Sequence, residues 1–103
     1  MNLGIICSAI QSRCVIQFYY TGDTHPGLRR VEPHMVAYTS ADNMVLSAWF
    51  LDGVTGSNAP TNWRDYVLSQ MSQVTMTAET FSGPRPGYNA SGGKKFHNIQ
   101  CRL

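Results

Sequence analysis

The segment from Met44 to Leu51 constrains the fold most, because its side chains alternate in character. Every second position is apolar: Met44, Leu46, Ala48 and Phe50. Successive side chains of a β-strand point to opposite faces, so the pattern predicts a strand with one strongly apolar face and one mixed face. A chain of 103 residues can bury such a face in one small core only. We therefore expect a single β-rich domain with this strand at its centre.

Further strands are predicted where β-branched and aromatic residues concentrate. These segments are 14–20, 29–39, 63–68 and 74–77, with 96–101 as an additional edge strand. Pro33 lacks the N–H that a strand ladder uses, so it predicts an edge or a bulge at that point. A helix over residues 62–76 is the alternative for two of these segments, but its irregular apolar spacing and its Thr, Ser and Val content favour strands.

A short N-terminal helix is predicted by apolar residues spaced i, i+3, i+4 and i+7. They are Leu3, Ile6, Cys7 and Ile10. The core that we predict from both periodicities consists of Ile16, Phe18, Met35, Leu46, Ala48, Leu68 and Val74.

The three cysteines, Cys7, Cys14 and Cys101, include no Cys-x-x-Cys unit. Three thiols cannot all pair within one chain, so we expect reduced cysteines rather than a disulfide framework, with Cys7 in the core. The longest apolar run near the start, residues 3–6, is far shorter than the roughly 20 residues of a membrane helix, and no Lys or Arg precedes it. We therefore expect a cytoplasmic protein that does not contact a membrane.

Positive charge concentrates at the C-terminal end. Residues 1–79 carry four arginines and six acidic residues, whereas residues 80–103 carry Arg85, Lys94, Lys95 and Arg102 and no acid. Such a segment attracts phosphate groups, although four charges are few beside a dedicated nucleic-acid binder, and ordinary solubility is the simpler explanation.

Four motifs follow the helix in order. They are Val15-Ile-Gln-Phe-Tyr-Tyr20, Arg29-Arg-Val-Glu-Pro-His34, Met44-Val-Leu-Ser-Ala-Trp49 and Trp63-Arg-Asp-Tyr-Val-Leu68. This order resembles the WYL domain, a small barrel related to the Sm and SH3 folds that is found mostly in bacterial transcription regulators. The resemblance covers about residues 3–82, and the segment Gly83-Pro-Arg-Pro-Gly-Tyr-Asn89 is similar to the tail of small WYL-like proteins.

Two family elements depart from their usual form in this chain. The Trp-Tyr-Leu triplet reads Met-Val-Leu at positions 44–46, and the Leu-Asp-Arg-Ile element reads Leu-Ser-Gln-Met at positions 68–71. The helix-turn-helix that usually precedes the domain in regulators has no room before the first strand. We therefore do not expect this chain to bind an operator by itself.

The resemblance implies a mainly β fold, a small Sm/SH3-like β-barrel of about five strands with a short N-terminal helix and a Pro/Gly-rich C-terminal tail. It divides the chain into a WYL-like barrel domain at 1–82 and a tail at 83–103 that docks on the barrel or on a partner. It also implies a non-enzymatic, regulatory sensing module that binds a nucleotide or a single-stranded nucleic acid. No cofactor and no metal are expected.

Five residues are candidates for the ligand site. Arg30, His34 and Tyr38 have the same parity in their strand, so we expect them on one face. Trp49 has the parity opposite to the apolar set of residues 44–51, which predicts an outward indole that can stack on a base. Arg64 aligns with a WYL-family arginine that lines the presumed site. Together they predict a face that holds phosphate and stacks bases.

Each of these residues also has a purely structural explanation. Arg30 can pair with a surface acid, and His34 can be a hydrogen-bonded structural histidine. Trp49 can cover a second small cluster together with the N-terminal helix, and Arg64 can extend from the rim of the core into water.

Two other classes of function remain open. Unpaired strand edges and the apolar residues of the tail suit a protein-interaction module that forms a homodimer or docks on a regulator, and for the same reasons we expect the chain to form a homodimer. For an enzyme, Cys14 with His34 is the best nucleophile and base. However, Cys14 lies among apolar strand residues, and no nucleophile turn, phosphate loop or paired carboxylates accompany it. We therefore expect a protein that is not an enzyme.

Overall fold

The computed structural model describes residues 2–55 and 61–103. Its elements are α1 (Leu3–Ser12), β1 (Cys14–Tyr20), β2 (Gly27–Thr39), β3 (Met44–Gly53), β4 (Trp63–Val67), β5 (Met71–Thr80) and β6 (Phe96–Arg102), with a 3-10 turn, Leu68–Gln70, between β4 and β5. The mainly β fold with a short N-terminal helix is confirmed. Residues 62–76 do not form the alternative α-helix, because β4, the 3-10 turn and β5 occupy this part of the chain. None of the helices formed by the described residues is long and apolar enough to cross a membrane.

The six strands form one antiparallel sheet in the order β4-β3-β2-β1-β5, with β6 paired to β2. Strand β2 is the long centre of this sheet. Its first half pairs with β1 and its second half with β6, while β3 runs along most of its other edge. Among the described strands the pairing path starts at β4 and ends at β5, without closing into a barrel.

Helix α1 covers one face of the sheet, which we call the core face, and buries Ile6, Ala9 and Ile10 there. The predicted core residues Ile16, Phe18, Leu46, Ala48 and Leu68 are buried on this face, and Val74 packs against it half-buried. Met35 is also buried, but on the opposite face, which we call the outer face. Most of the core could therefore be predicted from period-2 and period-3.6 patterns.

A disulfide joins Cys7 of α1 to Cys101 of β6, with Cα atoms 5.7 Å apart. The expectation of reduced thiols is therefore wrong for this pair, and Cys14 is the free cysteine. Both bonded residues belong to the side of the molecule where α1 covers the sheet, because Cys101 pairs with the core residue Val36. The bond ties the helix to the strand that the C-terminal tail adds.

A β-bulge at His34 decides which side chains of β2 share a face. Pro33 lies opposite Ala48 and Met35 lies opposite Ser47, so one extra residue of β2 stands between these two pairs. An extra residue reverses the alternation of side chains beyond it. Glu32 and His34 therefore lie on the outer face, whereas Tyr38 follows Val36 onto the core face. Of the edge or bulge predicted from Pro33, the bulge is confirmed, while β2 is a central strand and not an edge. The prediction that Tyr38 shares a face with His34 is wrong.

Candidate functional site

The outer face is crossed by residues 81–95, which we call the covering segment. The indole Nε1 of Trp63 donates a 2.7 Å hydrogen bond to the carbonyl oxygen of Pro86, and the Tyr88 hydroxyl donates to the carbonyl of Leu103 at 3.3 Å. Near the other end, the Lys95 ammonium bonds to the Asp65 carboxylate. The face that the sequence predicts to be open is thus largely covered by the chain itself.

Arg85 is the main polar anchor of the covering segment. Its guanidinium forms two hydrogen bonds of 2.7 and 2.8 Å to the carboxylate of Glu32, whose side chain is only 5% exposed. This bidentate geometry is the strong form of an arginine–carboxylate pair, and hydrogen bonding to Glu32 raises the pKa of Arg85. The same guanidinium lies 5.3 Å from the centroid of the Trp49 ring, as a cation–π contact.

Trp49 is therefore part of a second cluster, and its ring is not free on the side of Arg85. The Trp49 and Trp63 rings meet edge to face at 5.6 Å, because the two residues lie directly opposite each other in β3 and β4. This arrangement agrees with the structural explanation of Trp49, in which the indole covers a second small cluster. The covering segment, and not the N-terminal helix, packs against the two tryptophans of this cluster.

His34 lies at the centre of this cluster and is fully buried. Its Nδ1 lies 2.8 Å from the carbonyl oxygen of Glu32, and its Nε2 accepts a 3.1 Å hydrogen bond from the backbone N–H of Arg85. Only the neutral ring with its proton on Nδ1 satisfies both contacts. Burial lowers the pKa of His34. In this docked state both ring nitrogens of His34 are bonded to the backbone, so the ring joins β2 to the covering segment.

The remaining predicted residues are spread over the sheet. Arg30 lies on the outer face and forms ion pairs with Asp52, at 2.8 Å, and with Glu79. Arg64 lies opposite Ala48 and therefore on the core face, where its guanidinium is 5.5 Å from the centroid of Phe50. His34 and Trp49 both contact Trp63 on the outer face, where Arg30 also lies. Tyr38 and Arg64 lie on the core face, apart from them. Their part in binding a ligand stays a prediction.

An open cleft of about 210 Å³ lies between the covering segment and strands β3, β4 and β6. Its walls include Trp63, Asp65, Tyr88, Asn89, Lys95 and Phe96. The rings of Trp63 and Tyr88 are inclined by 20°, with their centroids 6.4 Å apart, and burial raises the pKa of the Tyr88 hydroxyl. The Lys95 ammonium lies 5.3 Å from the centroid of the Phe96 ring. The cleft combines aromatic rings with one cation and one anion.

Sequence reasoning missed these cleft residues as a site. One signal was present, because Trp63 and Asp65 have the strand parity opposite to Tyr66 and therefore point to the outer face. The aromatic wall from Tyr88 and Phe96 needs the tail to return to the sheet, and no periodicity in the sequence indicates that return.

The comparisons with known proteins add no relative to this description. No protein-family model, no curated protein and no solved structure matches the chain. The WYL resemblance therefore rests on the motifs of the sequence.

Proposed function

We propose that this chain is a non-enzymatic, WYL-like sensing module that binds a nucleotide or a single-stranded nucleic acid in the cleft of the outer face. The observation that carries the proposal is one opening of about 210 Å³ with Trp63, Tyr88, Phe96 and Lys95 in its walls. Bases stack on aromatic rings with about 1–3 kcal/mol per base, with little dependence on sequence. A lysine beside the rings supplies the charge that a phosphate needs.

The charge around the cleft supports a phosphate-bearing ligand. The Arg85 guanidinium is bonded to the buried carboxylate of Glu32. Lys95 is bonded to a carboxylate at the surface and keeps 62% of its side chain exposed. Lys94, its exposed neighbour, forms no ion pair with any residue in the described ranges. A phosphate can therefore compete with Asp65 for Lys95, and Lys94 adds attraction that is screened by salt.

The fold part of the proposal is an Sm/SH3-like barrel. The order β5-β1-β2-β3-β4, the N-terminal helix and the 3-10 turn between β4 and β5 support it. In this proposal residues 1–82 form the WYL-like domain and residues 83–103 the docked tail, which supplies β6 and most of the covering segment. A regulatory role, through a partner regulator, belongs to the same proposal.

The compartment follows from the state of the cysteine pair. A cytoplasmic regulator, as the WYL resemblance implies, would keep Cys7 and Cys101 as thiols, because the cytosol reduces most disulfides. An oxidising compartment would keep the bond that the structure contains. Thiol labelling of the protein in freshly lysed source cells distinguishes the two cases. A cytoplasmic protein would label at Cys7 and Cys101 as well as at Cys14, whereas an exported protein would label at Cys14 alone.

The cleft is tested by separating charge from stacking. We expect Lys95→Ala to weaken binding of a labelled oligothymidylate and to reduce the slope of log K against log salt by about 0.7, the contribution of one phosphate contact to a single strand. Phe96→Ala is expected to cost about 1–3 kcal/mol of binding free energy with little change of slope. Fluorescence anisotropy at several salt concentrations measures both, and a panel of mononucleotides extends the test to single nucleotides.

Arg30→Ala is the matched control, since it removes one positive charge elsewhere on the outer face, away from the cleft. We expect this variant to bind nearly as the parent chain does. If Arg30→Ala abolishes binding while Lys95→Ala and Phe96→Ala leave it intact, the ligand lies at the site predicted from the sequence and the cleft is the wrong place.

A homodimer is the second candidate, and a specific observation favours it. Strands β4 and β5 end the pairing path, so each has one edge without a strand partner among the described residues. Unpaired strand edges bind further strands through backbone hydrogen bonds. We expect light scattering at tens of micromolar to give the mass of two chains. The mass of one chain under these conditions, with the ligand and without it, would exclude the dimer.

A further inference from the structure

We propose that the covering segment is a pH-sensitive latch, which neutral His34 holds on the outer face and which protonation of His34 releases. The latch regulates the cleft because the covering segment supplies part of its wall. Only this consequence for binding rests on the proposed function. The latch itself can be observed without any ligand.

The hydrogen bonds of His34 distinguish its two charge states. In the neutral ring Nε2 is the acceptor for the backbone N–H of Arg85, at 3.1 Å, while Nδ1 faces the carbonyl oxygen of Glu32 at 2.8 Å. A proton on Nε2 removes this acceptor, and the new ring N–H then faces the backbone N–H of Arg85, so that two donors meet. The protonated ring therefore cannot keep Arg85 in its present position.

Burial makes the protonated ring of His34 costly, since the residue has no solvent-exposed surface and a charge in such a place is poorly solvated. Trp63 of β4, Phe81 and Tyr88 surround it, with ring centroids 4.8, 5.6 and 5.3 Å away. Two charged groups act on it: the carboxylate of Glu32 favours the protonated ring, and the guanidinium of Arg85 opposes it. Burial is the largest influence, so the pKa of the docked His34 lies below its ordinary value of 6.5.

The sign of the pH dependence follows from this lowered pKa. Well above pH 6.5 the ring is neutral in both the docked and the released state, so the full stability of the docked state is retained. Below pH 6.5 the ring of His34 binds a proton in the released state more readily than in the docked state, where its pKa is lower. The equilibrium constant for docking of the covering segment then falls by up to tenfold per pH unit, until the pH passes the pKa of the docked ring.

The released segment stays attached at both ends. Residue Phe81 follows β5, and its N–H donates to the carbonyl oxygen of Arg13. At the other end β6 is fixed to β2 by its ladder and to α1 by the Cys7–Cys101 disulfide. Acidification is therefore expected to free a loop between β5 and β6, with the core face intact.

The two tryptophans of the chain report on the latch, because Trp49 and Trp63 both lie against the covering segment. We expect their emission to shift to longer wavelength between pH 7.5 and 5.0 in the oxidised full chain. Far-ultraviolet circular dichroism should stay constant over the same range. Loss of the circular dichroism signal together with the shift would show global unfolding and overturn the latch, as would unchanged emission.

Substitutions of the three histidines assign the transition. His34→Gln keeps a neutral polar side chain that does not titrate, and it should abolish the pH-dependent shift. His25→Gln and His97→Gln are the matched controls, because both histidines are exposed, and each should leave the shift unchanged. A shift that persists in His34→Gln, or that disappears in a control variant, would refute the assignment.

Nuclear magnetic resonance of the parent chain keeps the proposal testable if His34→Gln does not fold. The ring protons of His34 should titrate with the midpoint of the fluorescence shift, and amide exchange should rise in residues 82–92. Titration of His34 without faster amide exchange there would contradict the latch. If the latch is confirmed and oligonucleotide binding is lost on acidification, the latch regulates the cleft. If no oligonucleotide binds at any pH, the proposed function is refuted while the latch is not.

Discussion

Replacing both Cys7 and Cys101 by serine is expected to lower the free energy of unfolding by about 4 kcal/mol. The two residues are 94 positions apart, so their bond closes nearly the whole chain into a loop. Closing a loop of this length restricts the unfolded chain, and the chain-entropy argument gives a stabilisation of about 4 to 5 kcal/mol. Domains of this size are stable by about 5–15 kcal/mol, so the variant should lie close to its unfolding threshold.

Urea denaturation of the double variant and of the reduced parent chain measures this effect. Cys14→Ser is the matched control, because Cys14 is the free cysteine and its replacement leaves the bond in place. We expect the control to unfold near the parent midpoint. Equal midpoints for the double variant and the parent would mean that the disulfide contributes nothing and that β6 is held by its ladder alone.

Phe18→Ala is expected to cost on the order of 3 kcal/mol of unfolding free energy. Phe18 is fully buried on the core face, and its ring meets Tyr66 and Tyr20 edge to face at 5.0 and 6.2 Å. Truncation leaves a cavity between rings that the sheet holds in place, so little collapse can compensate for the loss.

Leu28→Ala is the control for this substitution, because Leu28 is a large apolar residue that is 47% exposed. Its unfolding midpoint in urea should stay close to that of the parent chain. A loss below about 1 kcal/mol for Phe18→Ala would contradict the packing described for the core.

Local patterns in the sequence predicted the elements of the fold, because they record which side chains share a face. The alternation over residues 44–51 predicted β3, and its apolar set does face the core. The disulfide could not be found in this way. Cys7 and Cys101 meet only because β6 pairs with β2 beneath α1, a contact between the two ends of the chain.

One extra residue in β2 changes the composition of the candidate site. Pro33 predicts an irregularity in β2, and the bulge lies beside it, so the alternation that places Arg30 and His34 on one face does not extend to Tyr38. Because a shift of one residue exchanges the two faces, Tyr38 lies on the core face instead of beside His34.

The covering segment marks a different limit of sequence reasoning. In the sequence Arg85 is one of four cations of a segment without acids, whereas in the structure it pairs with the buried carboxylate of Glu32. These two residues are 53 positions apart, and the Pro- and Gly-rich segment that brings them together carries no periodic pattern. The pair, with His34 beside it, is a tertiary contact that composition does not indicate.

Chemical-shift mapping tests the central claim, that the cleft of the outer face binds the ligand, most directly. The oxidised full chain would be labelled with nitrogen-15 and titrated at pH 7.5 with nucleoside monophosphates and with oligothymidylate. We predict saturable shifts that centre on the Trp63 indole and on the amides of Asp65, Asn89, Lys95 and Phe96. Shifts centred on Tyr38 and Arg64, or no saturable shift with any of these ligands, would contradict the account.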